Sequence, residues 1–313
     1  MDYLHLGDNP ARQLIDSTTV FDEFRRVQLL ARRVAGGMYW KQQGEYEYLV
    51  KTQPDNRQQR LGARSPDTVR TYDAFTKEKA NIESRLSALR AALVDAQRLN
   101  KALKVGRVPS LVVDILQTLE NAGLSDHFVV VGTHALYAYE TAAGVRIVQR
   151  ALATQDVDLL WDVRKRVRFM TDLDKVDASI LRVLQRADKT FERKEGKVET
   201  AINARGFEVD FLRRQPEGSD PHPFCFSDDE DDLWPVQALR ASVLTTAPRF
   251  EHMVVSATGR MALMRTIAPQ TFVDFKLWLA EKAPERPELK RRRDRHQAAI
   301  VKELLDTGLL QAQ

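Results

Sequence analysis

The sequence predicts an α+β protein: a helical N-terminal region carrying a small antiparallel sheet, a core of strands and helices, and C-terminal helices. Three observations carry this reading. The apolar run Phe128–Val131 ends in Gly132-Thr133, where a helical segment opens. In Asp156-Val157-Asp158-Leu159 carboxylates alternate with apolar residues, the period of a strand buried on one face. Leu86, Leu89, Ala92, Leu93, Ala96, Leu99 and Leu103 recur at three- and four-residue spacing, the period of a helix.

Bulk properties set the frame. The chain has 313 residues, 43% of them hydrophobic and 29% charged, which suits a folded protein with a sizeable core rather than a disordered one. Its single cysteine, Cys225, excludes an intramolecular disulfide and fits a reducing compartment. The opening MDYLHLGDNPARQ has no basic segment followed by an apolar stretch, and no uncharged apolar run reaches membrane-spanning length. A cytoplasmic protein with no membrane partner is expected. Net charge is only +4, but it is unevenly spread. Cations gather at Arg164-Lys-Arg-Val-Arg168 and Lys290-Arg-Arg-Arg-Asp-Arg295, acids at Ser227-Asp-Asp-Glu-Asp-Asp-Leu-Trp234. Each basic cluster suits either a phosphate-bearing ligand or a solvated helix face. The acidic run reads as an exposed loop.

The elements follow in order. Val20, Phe21, Phe24, Val27, Leu30, Ala31 and Val34 form one stripe of a helix over residues 17–35, with Asp16-Ser17 as its start signal and Gly36-Gly37 as its stop. Residues 37–64 alternate aromatic or β-branched with polar residues around Gln43-Gly44 and Gln53-Pro-Asp-Asn56, which predicts an antiparallel meander. Tyr39, Trp40, Tyr46 and Tyr48 lie there beside Lys41, Lys51, Arg57, Arg60 and Arg64. Packing of the sheet against a helix accounts for the aromatics; base stacking with phosphate contacts is the functional alternative. One long helix spans Pro66–Lys104, and Pro109 opens the next, Leu111–Asn121. Further on, Asp177–Ala187 reads as a helix, and the strands Lys197–Asn203 and Gly206–Leu212 are separated by a hairpin gap at Ala204-Arg205. Met253–Ala257 and Met261–Met264 flank the turn Thr258-Gly-Arg260, and helices Pro269–Lys282 and Pro287–Leu305 close the chain. The division expected is an acceptor- or partner-binding region, 1–107, followed by a chemistry-bearing domain, 108–313.

The chemistry is read from the middle of the chain. On a strand, residues i and i+2 share a face, so Asp156 and Asp158 project together while Val157 and Leu159 face a core. Two carboxylates that close repel each other unless a cation lies between them. Hard divalent cations take oxygen ligands and leave positions for phosphate oxygens. The Gly132-Thr133 turn at a helix N-terminus offers N–H groups, a hydroxyl and the positive end of a dipole to those phosphates. Singly, each feature has a plainer explanation: an ordinary strand-to-helix turn, an exposed edge, a solvated acid. Their occurrence in order points to phosphoryl or nucleotidyl transfer.

The arrangement resembles the nucleotidyltransferase fold of the DNA polymerase β superfamily, in which a Gly-Ser or Gly-Gly turn precedes an Asp-x-Asp strand and a third acid follows on a later strand. Thr133 stands where Ser or Gly is commoner, and the spacing to Asp156 is long, with the insertion Ala142–Ala153 expected as a mobile loop. Thr271-Phe-Val-Asp-Phe-Lys-Leu-Trp278 and Leu289-Lys-Arg-Arg-Arg-Asp-Arg-His-Gln297 further resemble the bacterial branch related to AbiEii-type toxins. The resemblance covers about residues 108–305 and implies a mixed sheet flanked by helices. It implies Asp156, Asp158 and Asp210 as catalytic residues and ligands of Mg²⁺ or Mn²⁺, with Asp210 preferred over Glu208 because it precedes Phe211-Leu212. Gly132 and Thr133 would hold the NTP phosphates. Lys276 is a triphosphate clamp or a snorkelling surface lysine; Arg292 and Arg293 are weaker candidates, and His134 reads as structural. The implied activity moves an NMP from an NTP to an RNA (for example tRNA) or protein hydroxyl, with a toxin or phage-defence role and a cognate antitoxin as partner. The alternative is a non-catalytic nucleotide- or RNA-binding regulator with the same fold.

Overall fold

The computed structural model describes residues 2–311 apart from 153, 219, 221 and 223. The chain opens with a short strand, β1 (Tyr3–His5), and a long helix, α1 (Asp8–Arg33). The helix begins well before the Asp16-Ser17 pair expected to start it. Asp8 supplies the acid of its first turn, while Ser17 is buried within it and accepts from Gln13 Nε2 at 2.9 Å. Strands β2 (Gly37–Gln43), β3 (Tyr46–Thr52) and β4 (Gln58–Ala63) form the expected meander, antiparallel throughout and bulged at Leu49/Val50. The long helix α2 (Pro66–Ala102) follows. Val27 of α1 and Val34 just after it meet Ile82 and Leu86 of α2 in an apolar cluster flanked by Phe24, Leu30, Phe75 and Leu89.

Past Pro109, helix α3 (Ser110–Asn121) leads to β5 (Phe128–Val131), α4 (Ala135–Ala143), β6 (Val145–Ile147), α5 (Gln149–Leu152) and β7 (Asp156–Trp161). The insertion Ala142–Ala153 is thus largely built of regular elements rather than being the loop expected; Ala153 itself lies outside the described residues. Its strand β6 pairs with β1, Tyr3 opposite Ile147. A three-residue strand whose partner lies at the other end of the chain leaves no periodic signal to read. Arg107 ties the same region together, its guanidinium engaging buried Glu140 and the Ile147 carbonyl.

Helices α6 (Arg166–Val176) and α7 (Ile180–Gln185) come next. The helix expected over 177–187 starts only at Ile180. Asp177 takes a left-handed conformation, φ +49°, that ends α6, and Ser179 caps α7. Asp232, from the acidic run, is buried and accepts from the Ile180 and Leu181 N–H groups at 3.1 and 2.9 Å. That run is therefore not wholly an exposed loop. In the basic run, Arg164 is paired with Asp162 at 2.8 Å and Arg168 with Asp126 and Asp172 at 3.6 Å, the arrangement of an ion-paired surface.

Strands β8 (Glu192–Arg193), β9 (Thr200–Ile202), β10 (Glu208–Arg213) and β11 (Val236–Gln237) complete a mixed sheet with the order β5-β7-β10-β9-β8, β11 lying on β10. Helix α8 (Ala241–Thr246), the hairpin β12 (Arg249–Val255) and β13 (Met261–Ile267), and helices α9 (Pro269–Glu281) and α10 (Glu288–Asp306) finish the chain. One face of the sheet is sealed by aromatic packing: Trp161 stacks on Phe224 at 4.7 Å, and Phe128, Phe169, Phe211 and Phe226 pack edge-on or tilted around it.

The chain divides into two compact units, Met1–Arg12 with Asn100–Gln313, and Gln13–Leu99. These bounds differ from a cut near residue 107 because β1 and the Val105–Val108 segment belong to the larger unit. Among the described residues no helix is long and apolar enough to cross a membrane.

Candidate active site

Strand register brings the three carboxylates together. In β7, Val157 and Leu159 are buried, so Asp156 and Asp158 share the opposite face. In β10, Val209 and Phe211 are buried, which turns Glu208, Asp210 and Leu212 the same way. The two strands run parallel, with Asp210 beside Asp158 and Glu208 beside Asp156. Asp156, Asp158 and Asp210 each present an oxygen within 4.8 Å of the others. Glu208 is engaged instead by Lys194, which leaves Asp210 as the third member of the cluster. Thr200, opposite Asp210 on β9, donates to its Oδ1 at 2.6 Å and fixes its orientation.

Like charges side by side on a sheet are destabilising, and the proton affinities reflect it. Burial pushes the Asp158 carboxyl up to about 7, reinforced by the charges of Asp156 and Asp210, with Lys276 and Lys290 pulling the other way. Burial also raises Asp210, against the pull of its Thr200 hydrogen bond. A set made only of carboxylates, with unrelieved repulsion, has the donor chemistry of a hard divalent cation.

The turn after β5 closes one side. Val131, the last residue of β5, lies opposite Asp158 across the β5–β7 ladder. Gly132 then takes φ +70°, and a Cβ built on it would sit 2.3 Å from Asp158 Oδ2. Only glycine meets both demands, the left-handed backbone and the close approach of the carboxylate. Thr133 is buried, and its Oγ1 accepts from Gln297 Nε2 of α10 at 3.2 Å, which leaves its own hydrogen for a ligand. His134 is packed against Tyr137 and Phe207; burial holds its pKa down at about 4 against the pull of Asp156, so the imidazole is neutral.

A cleft of about 280 Å³ opens over these groups. Its lining includes Gly132, Thr133, Asp156 and Asp158, the cations Lys276, Arg286, Lys290 and Arg293, and apolar Leu160, Leu244, Phe275 and Leu279, but not Asp210. Lys276 is not a snorkelling surface residue. It is 3% exposed, and its Nζ lies 3.0 Å from Asp294 Oδ1, while Arg286 holds the other oxygen of that fully buried carboxylate. Burial lowers the Lys276 pKa, with Asp294 opposing. Arg292 points away from the cleft and pairs with Glu288 at 3.4 Å. Arg286, before α10, carries no periodic signal, and Lys290 is hard to single out because 290–295 reads as a block of charge. The signal was the helical period: Lys290, Arg293, Asp294 and Gln297 fall at i, i+3, i+4 and i+7, one face of α10.

A family model described as nucleotidyltransferase matches residues 110–313. No curated protein and no solved structure shows a significant match to the chain.

Proposed function

The chain belongs to that nucleotidyltransferase family, and from this premise we propose that it moves a nucleoside monophosphate from an NTP to a hydroxyl of an RNA or protein acceptor. The acceptor oxygen forms a bond to the α-phosphorus, the bond to the β-phosphate bridging oxygen breaks, and pyrophosphate leaves with that electron pair. The observation that carries the reading is the side-by-side register of Asp158 and Asp210, with Asp156 two residues along and Gly132 against the Asp158 carboxylate.

Asp156, Asp158 and Asp210 would hold Mg²⁺ or Mn²⁺, which when bound neutralises phosphate charge and lowers the pKa of an acceptor hydroxyl. Asp210, oriented by Thr200, would take the acceptor proton. Gly132 admits the phosphates to the N–H groups of the turn, and Thr133 supplies a hydroxyl donor. Lys290, Arg286 and Arg293 would provide positive charge to the phosphates, together with Lys276, which also pairs with Asp294. The likeness to AbiEii-type toxins adds a toxin or phage-defence role with a cognate antitoxin; it stands on that likeness alone.

The test is incubation with each α-labelled NTP, Mg²⁺ and a crude RNA and protein extract. Label should pass to a macromolecule with the wild type and not with Asp156→Ala or Asp158→Ala, both still folded by circular dichroism. Wild-type protein whose melting temperature rises with Mg·NTP, yet which labels nothing, would point to the regulatory alternative.

A further inference from the structure

We infer that the solvent face of the β2–β3–β4 sheet binds single-stranded RNA, its bases stacking on Tyr39, Tyr46 and the Tyr48–Arg60 pair. As the acceptor surface this deepens the transfer reading and rests on it; as a binding surface it stands alone.

The sheet separates its aromatics by face. Trp40 lies opposite Leu49, which lies opposite Gly62. That face packs on α2: Leu49 is fully buried, Trp40 meets Tyr72 at 5.9 Å, and Arg64 covers Trp40 at 5.0 Å while pairing with Glu47. Trp40 and Arg64 are therefore structural, and Arg57 is paired within its own turn to Asp55. The other face is more open toward the β2–β3 turn, while Val50 at its centre is buried. Val50 lies between Tyr39 and Arg60, Lys41 lies opposite Tyr48, and Gln43 opposite Tyr46. Tyr46 is 63% exposed and Tyr39 37%. Arg60 places its guanidinium 3.1 Å over the Tyr48 ring, presenting its outer plane to solvent.

Charge selects the occupant. The face carries Lys41 and Arg60 and no acid, since Glu47 lies on the packed face and Glu45 and Asp55 lie in turns. Exposed aromatic rings and a guanidinium plane with interleaved cations are the means by which sheets hold unstacked bases and their backbone. The rows Tyr39/Arg60, Tyr48 and Tyr46 extend over about four residues of strand, roughly 14 Å, room for a short run of bases. The phenol and Gln43 side chains supply the polar groups that a 2′-hydroxyl can meet.

Fluorescence anisotropy of the full chain with a labelled 12-nucleotide single-stranded RNA of mixed sequence tests this. Wild type should bind, with affinity falling as salt rises. Tyr39→Ala and Tyr46→Ala should each weaken binding about tenfold, whereas Tyr46→Phe should keep it. Lys41→Gln should reduce the salt slope by about one. The Mg·NTP melting shift should be unchanged in all of them. Wild type that does not bind, tyrosine variants that bind like wild type, or equal affinity for single-stranded DNA or duplex RNA would overturn the inference. RNA binding lost in these variants with no Mg·NTP shift in any protein would instead sink the transfer reading and leave the surface.

Discussion

Asp158 is where the fold's chemistry is most exposed to test. Its carboxyl titrates at 3.8 in an ordinary setting and is pushed up to about 7 here. A raised acid pKa means folding disfavours the charged form. The penalty is absent below about pH 4, grows as pH climbs, and is full above about pH 7. Asp158→Asn removes it, on the order of 2–4 kcal/mol, so in metal-free buffer at pH 8 the variant should melt above wild type, with the difference fading toward pH 4. Melting curves across that range check this; a variant less stable at pH 8 would show the carboxylate serving as a structural partner. Gly132→Ala should act in the opposite direction. Its Cβ would clash with Asp158 Oδ2, and the left-handed backbone costs a non-glycine residue about 1–2 kcal/mol. A lower melting temperature and loss of the Mg·NTP shift are expected together.

Among elements, the β1–β6 pair and the segment before α3 matter more than their size suggests. Arg107 is the main cation against Glu140, whose side chain is 7% exposed and also accepts from the Ile147 N–H at 2.8 Å. Arg107→Ala leaves that carboxylate buried without its guanidinium, which should cost about 3–5 kcal/mol. Chemical denaturation should show it, and Arg107→Lys should recover only part, since a single ammonium cannot reproduce the forked contact. For the same reason a protein truncated at Val108 would lose both β1 and Arg107. It would report on the loss of these supports before it reported on acceptor binding.

Across the whole molecule, two compact units with separate apolar clusters should melt separately. Leu86→Ala, in the cluster shared by α1 and α2, should destabilise the Gln13–Leu99 unit by about 2–4 kcal/mol. Mg·NTP should raise only the transition of the unit that carries the three carboxylates, by about 2.7 kcal/mol at a hundredfold excess over Kd. Scanning calorimetry of wild type and Leu86→Ala, each with and without ligand, separates the two. A single transition that both perturbations move would show the units to be thermodynamically one.

The sequence alone determined what a local period can encode. Period-2 alternation put Asp156 and Asp158 on one face, the apolar run and Gly132-Thr133 marked the turn beside them, and the meander, the long helix and the two C-terminal helices were legible from spacing and punctuation. Only the tertiary structure decided which distant elements meet. The strand carrying Asp210 was expected beside that of Asp156 and Asp158, but the structure set its register opposite Asp158, engaged Glu208 with Lys194, buried Lys276 against Asp294, and built into the insertion after α4 a strand paired with Tyr3–His5. It also sorted the sheet aromatics, packing half-buried Trp40 on Tyr72 of α2 and leaving Tyr39 and Tyr46 more exposed. The reason is physical. A strand's or helix's period follows from its own backbone geometry, whereas pairing, ion partners and burial follow from the free energy of contacts between segments that the sequence order keeps apart.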